Sequence, residues 1–322
     1  MEFRSLGRTD ASVSAMSVGS WLTLDHVETE VGVAVLRAAI ERGVTFFDDA
    51  RYDDRTGKAP IKTGYSEVVF GELFRKGGWR REDVVIANKA WLEFFPDESV
   101  AEETEGSLAR LQMDTIDLMY VVPPPKDLRM TELVEMMSAL VASGKVRWWG
   151  GLNWRPEHIN MAYAVSLTKG YTSLSAVQLP YNLFYRGAVE ANAMREACRR
   201  AGVSVVASYG LGGGLLTGKY ASGAGPQGAR IRGKELAQHR QRGVLDRVSA
   251  MASIARELAI TPAQLALAYC LKGPRVASVV FGATSPEQVE ENLGAIEAQE
   301  KLDDAVIEEL RKTFRQPNAG PG

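Results

Sequence analysis

Cysteine is nearly absent from this chain: there are two in 322 residues, Cys198 and Cys270, spaced as neither a disulfide framework nor a paired metal or redox motif. Burial as small apolar side chains is the expectation for both, and no metal site is expected. Charge of one sign is also missing. With 38 Lys and Arg against 40 Asp and Glu, the net charge of −2 offers no field to draw in nucleic acid or an anionic membrane. No apolar run is long enough to cross a bilayer, and the opening MEFRSLGRTD has no signal-type hydrophobic core, so a cytoplasmic location is expected. Finally, no G-x-G-x-x-G turn follows the first strand-like run, which continues as VGSWLTL. That absence weighs against a doubly wound dinucleotide-binding sheet, while the balanced charge leaves a small molecule as the natural partner.

What is present is rhythm. Short β-branched runs alternate with amphipathic segments almost from end to end. The strand-like runs are AMSVGSW, VTFFDDA, DVVIANKA, TIDLMYVV, VRWWGGLNW, LSAVQLPYN, VSVVASYG and VASVVFGA, eight in number. Eight βα units are the count of a (β/α)8 TIM barrel, and residues 1–322 are read as one such domain with extra helices. Helical periodicity predicts segments at 31–42, 66–75, 100–111, 131–143, 156–168 and 188–201, with an extra helix over 236–258. Glycine follows helical runs at Gly43, Gly144, Gly170 and Gly202, where a left-handed cap needs no Cβ. Thr261 before Pro262 and Ser285 before Pro286 mark helix starts.

One stretch breaks the rhythm, a glycine-rich basic loop over 210–233 after the seventh strand. Loops near the seventh and eighth strands of barrels commonly hold phosphate, with backbone N–H groups exposed at glycines and charge from basic residues. Lys219, Arg230 and Arg232 are the candidate cations.

Barrel enzymes carry their chemistry at the C-terminal ends of strands. There the second strand ends in Asp48 and Asp49 with Tyr52 just beyond, the third in Lys89, the fourth in Tyr120 and Val122, and the sixth in Gln178 and Asn182. Singly, each of these is an ordinary capping or solvated residue. Together, an acid, a lysine and a tyrosine suit carbonyl reduction: hydride delivery leaves an alkoxide that a tyrosine hydroxyl can protonate. A neighbouring Lys89 ammonium is expected to lower the phenol's pKa, and Asp48 to keep that lysine charged. Asp49, Asp53 and Asp54 are read as loop residues.

The segments FRSLGRTDASVSAMSVGSW, TFFDDA, GYSEVVFGELF, KGGWRREDVVIANK, LSAVQLPYNLFYR, GGGLLTGKY and VVFGATSPEQVEENLGAI resemble the aldo-keto reductases along nearly the whole chain. The nearest likeness is to the branch holding bacterial reductases and the β subunits of voltage-gated potassium channels. This resemblance implies an N-terminal hairpin before the barrel and NADPH bound without a Rossmann domain. It implies Gly19, Ser20 and Trp21 on one side of the nicotinamide, Asn153 and Gln178 at its amide, and Ser208 at the usual stacking position with Tyr209 beside it. Leu211 and Gly214 through Gly218 to Lys219 would follow the pyrophosphate, and Arg230, or else Arg232, would meet the 2′-phosphate. Gly282, Thr284, Gln288, Glu291 and Asn292 would hold the adenine end.

Two departures from that pattern bear on mechanism. The family's tyrosine stands five residues after the catalytic aspartate, whereas Tyr52 is four after Asp48 and is followed by an insert, DDRTGKAPIKTG; Tyr65 is the alternative proton donor. Val122 replaces the family's histidine. The sequence therefore points to an NADPH-dependent reductase of an aldehyde or ketone, with a nucleotide-sensing regulatory barrel as the alternative and a hydrolase or lyase using Asp48 and Lys89 as a third. The same branch leaves assembly into a homo-oligomer open. Trp91, Phe94, Phe95, Trp154 and Phe184 are candidates to wall an apolar pocket. Trp148 and Trp149, adjacent in one strand, cannot both face the barrel interior.

Overall fold

The computed structural model describes residues 1–54, 57, 59–220, 223–225 and 231–315. Two short strands, β1 (Phe3–Ser5) and β2 (Ser12–Ser14), form an antiparallel hairpin. Eight further strands then close into a parallel barrel: β3 (Met16–Gly19), β4 (Phe46–Asp48), β5 (Val85–Ala90), β6 (Ile116–Val121), β7 (Val146–Leu152), β8 (Ala176–Pro180), β9 (Ser204–Ser208) and β10 (Val276–Phe281). They neighbour one another in chain order, and β10 pairs back onto β3. All eight strands and the hairpin stand where the sequence placed them.

The strands are apolar on both faces because helices cover the outside while side chains fill the inside. Alternation sorts the two sets. Phe46, Leu118, Tyr120, Leu152, Val206 and Ala277 pack within the barrel. Phe47, Met119, Val121, Val205 and Val279 pack outward against the helices. Trp148 joins the inner set and Trp149 the outer, so one of the adjacent pair faces each way. Leu6, Ala11 and Val13 of the hairpin complete the inner cluster. The hairpin plugs the end at which the strands begin, where Ser14 Oγ accepts the N–H groups of Thr45 and Phe46 at 3.0 and 3.2 Å.

Helices follow the strands: α1 (Thr29–Glu41), α2 (Tyr65–Gly77), α3 (Val100–Leu111), α4 (Met130–Ala142), α5 (Pro156–Lys169), α6 (Gly187–Glu190), α7 (Asn192–Ala201), α8 (Gly233–Gln241), α9 (Val244–Glu257), α10 (Pro262–Leu271), α11 (Pro286–Leu293), α12 (Ala295–Ala298) and α13 (Asp304–Thr313). Two expected helices are each broken in two. The 188–201 segment parts at Ala191, whose ψ of 138° is extended, into α6 and α7. The 236–258 segment parts at Gly243, whose φ of +64° ends one helix before the next begins. Thr261 and Ser285 cap α10 and α11 as expected. Both cysteines are buried, and burial pushes both thiols up. Among the described residues no helix is long and apolar enough to cross a membrane.

Candidate active site

The mouth at the C-terminal strand ends opens into a cleft of ≈ 970 Å³ that runs from β4 and β5 across to α10 and α11. Asp48, Tyr52 and Lys89 border it at one end, and Gln288, Glu291 and Asn292 at the other. Between them lie Gly19, Trp21, Asn153, Gln178, Ser208, Leu211, Gly214, Lys219, Gly282 and Thr284.

Asp48 ends β4 and Lys89 stands on the neighbouring β5, and both side chains are buried. Lys89 Nζ donates to Asp48 Oδ1 at 2.6 Å and to the Asp49 carbonyl at 3.1 Å. The second oxygen of Asp48 accepts Gln178 Nε2 at 2.6 Å. The ammonium also faces Tyr52, 5.3 Å from its ring centroid. Burial opposes the charge on Lys89, but Asp48 and Tyr52 outweigh it and hold the ammonium above its ordinary range. For Tyr52 burial is the largest influence, and Lys89 offsets only part of it, so the phenol lies above its usual value rather than below. The expected lowering is thus a correction: desolvation wins, and Tyr52 is held protonated.

The insert after Tyr52 leaves and returns at one point. Gly64 N donates to the Tyr52 carbonyl at 2.8 Å, and Asp53 bridges Thr63. That closure fixes Tyr52 in spite of its shortened spacing from Asp48. Tyr65 instead opens α2 and does not border the cleft. Asp49, read from sequence as a loop residue, is fully buried; alternation along β4 turns it away from Asp48 and toward α2. Its Oδ1 accepts the hydroxyl of Ser20. Ser20 is therefore turned into the wall, and Gly218 packs against Pro262, so neither borders the cleft.

Of the five aromatics considered for a pocket wall, Trp91 alone borders the cleft, its ring 6.1 Å from that of Tyr52. Phe94 is exposed beside the Arg51 guanidinium, Phe95 and Trp154 pack into the core, and Phe184 packs on Phe314. Trp21 faces Tyr52 from the other side at 6.2 Å. Tyr185 and Tyr209 complete the aromatic wall, 6.1 Å apart. Tyr185 was not singled out from the sequence, although an aromatic shortly after the end of β8 is the kind of residue a barrel mouth uses. Val122, just past β6, packs against the core with an apolar side chain and does not border the cleft.

Fit to an anionic cofactor is tested at the turn Gly212–Thr217. Gly213 and Gly214 are consecutive left-handed residues, at φ +68° and +92°. A Cβ at Gly213 would meet the Tyr209 hydroxyl at 2.9 Å, and one at Gly214 the Lys219 ammonium at 2.8 Å. Only bare backbone leaves that space beside a cation, which is what a diphosphate needs. The residues fit such a group. Arg232 precedes α8 and does not border the cleft, and Arg230 lies outside the described residues.

A family model described as the Aldo/keto reductase family matches residues 15–314, from the start of the barrel to the end of α13. The chain belongs to that family. It is 29% identical over its whole length to a probable voltage-gated potassium channel subunit beta of Arabidopsis thaliana, covering 99% of that protein. A second protein of the same description, from Oryza sativa subsp. japonica, is 31% identical over 96% of this chain and 95% of its own. These relatives lie in the branch that the sequence resembles, and membership of an aldo/keto reductase family supports a nicotinamide-dependent oxidoreductase in general terms.

Proposed function

We propose that this aldo/keto reductase is an NADPH-dependent enzyme that reduces an aldehyde or ketone to the alcohol. The observation that carries the proposal is the continuity of one cleft, with Asp48, Lys89 and Tyr52 at one end and the Gly213–Gly214 backbone beside Lys219 toward the other. When bound, the nicotinamide supplies the hydride to the carbonyl carbon. Tyr52 gives its phenol proton to the carbonyl oxygen as the alkoxide forms, Lys89 stabilises the resulting phenolate, and Asp48 keeps Lys89 charged. Trp21, Trp91 and Tyr185 shield that proton transfer from water. Asn153 and Gln178 orient the nicotinamide end, Gly214 and Lys219 hold the diphosphate, and Gln288, Glu291 and Asn292 hold the adenine end. The 2′-phosphate is assigned to Arg230.

A fluorescence titration with NADPH and with NADH, followed by turnover on a panel of aldehydes and ketones, tests this reading. Preference for NADPH with turnover supports it. Binding without turnover favours the alternative drawn from the channel β subunits, a nucleotide-binding regulatory barrel. Absence of nucleotide binding overturns both.

A further inference from the structure

Three carboxyl groups are buried together where β4 meets α2, namely Asp48, Asp49 and Glu67, and among the described residues only two cations pair with them. Lys89 takes Asp48 at 2.6 Å. Arg110, from α3, takes Glu67 Oε2 at 2.5 Å, and Asn88 Nδ2 bonds Glu67 Oε1 at 2.8 Å. Asp49 is left over. Its Oδ1 accepts the Ser20 hydroxyl, and its Oδ2 meets no donor among the described residues. Its one direct link to Lys89 is through its backbone carbonyl, at 3.1 Å. A buried carboxylate without a cation is costly, and taking up a proton is the inexpensive remedy.

We infer that Asp49 is a charge switch for the Asp48, Lys89 and Tyr52 cluster: protonated, it leaves the ammonium free to act on Tyr52, and ionised, it weakens Tyr52 as a proton donor. The inference rests on the reductase reading of the site. The charged and titratable groups facing Asp49 are Glu67 from α2, with Arg110 of α3 and Arg51 acting on that glutamate, Lys89 from β5, and Tyr52 on its own segment. Burial first, and then the charge of Glu67, raise Asp49 to about 8, while Ser20 and Lys89 pull the other way. Ionised Asp49 in turn raises the Tyr52 phenol. Asp49 touches no reacting atom in this scheme; it acts through Lys89 and Tyr52 as a positioning residue.

The test is the pH profile of kcat for reduction, paired with the infrared carbonyl band of a protonated carboxyl measured without nucleotide or substrate. The wild-type kcat falls about tenfold between pH 7 and pH 9, as loss of a protonated form near 8 requires. Tyr52 titrates well above that window, so its own ionisation does not produce the limb. Asp49→Asn lacks the limb, and it also lacks a carboxyl band that the wild type shows at pH 7 and loses by pH 9. A wild type without that band, or an Asp49→Asn profile superposable on the wild type, overturns the inference. Should Asp49→Asn fail to fold, Ser20→Ala removes a bond that favours the ionised form and moves the limb to higher pH; an unmoved limb overturns the inference as well. A chain without turnover fails the reductase reading, and the infrared titration then decides by itself whether Asp49 carries the proton.

Discussion

Gln178 reaches across the barrel mouth from β8 and places its Nε2 2.6 Å from Asp48 Oδ2, the oxygen that Lys89 does not use. Asp48 is thereby held from two strands, the neighbouring β5 and β8 across the barrel. Either partner offers Asp48 a hydrogen bond, but only Lys89 balances its charge.

Lys89→Met is therefore expected to abolish carbonyl reduction while leaving NADPH binding largely intact, as read by fluorescence titration beside steady-state kinetics. It also strands a buried carboxylate, for a cost of about 3–5 kcal/mol at neutral pH. Adding Asp48→Asn should restore the melting temperature and not the activity. Unchanged turnover in Lys89→Met would sink the assignment.

Tyr52→Phe and Tyr65→Phe form a matched pair. Tyr52 borders the cleft with the Lys89 ammonium over its ring, whereas Tyr65 opens α2 outside it. Removing a general acid costs about 100-fold to 10,000-fold in kcat. We expect a loss of that size for Tyr52→Phe and kinetics close to wild type for Tyr65→Phe. The reverse result would move the proton donor to Tyr65 and require the insert to refold.

The barrel was legible because alternation and strand spacing are local properties, visible wherever a strand is covered on both faces. Asp48 and Lys89 were legible for the same reason: they are the polar residues at which apolar runs stop. Asp49 was not, because two adjacent acids look alike in a sequence, and only the pleat separates the one facing the cleft from the one facing α2. The break at Ala191 was hidden because alanine is a good helix former, whereas Gly243 gave a signal that the flanking periodicity overrode. The net pKa of Tyr52 was misjudged since sequence shows which charges are adjacent and not how much water they have lost.

Backbone exposure at the glycine turn gives a third test. Gly214→Ala places a Cβ 2.8 Å from Lys219 Nζ at a φ of +92°, crowding the space assigned to the diphosphate. Gly170→Ala is the control: its φ of +70° incurs a similar backbone strain, about 1–2 kcal/mol, but its Cβ meets nothing within 4 Å. Both variants should lose stability, and only Gly214→Ala should weaken NADPH binding, by about tenfold or more. Equal affinities in the two would remove the turn from the cofactor site.

The last test concerns stability rather than turnover. Asp49 is raised to about 8 in the folded protein, by burial and then by the charge of Glu67, from the ordinary carboxyl value of 3.8. Between those two values the unfolded chain has released this proton and the folded chain retains it. Fewer protons are then bound in the unfolded state, so the contribution of Asp49 to stability falls as pH rises from about 4 to about 8 and levels off above. Asparagine keeps the shape and an oxygen acceptor for Ser20 but carries no such linkage. Asp49→Asn is accordingly expected to gain melting temperature relative to the wild type as pH increases through that window, with the smallest difference at the acid end. Thermal melts at a series of pH values measure this directly, and a difference independent of pH would show that Asp49 is ionised in the folded protein throughout.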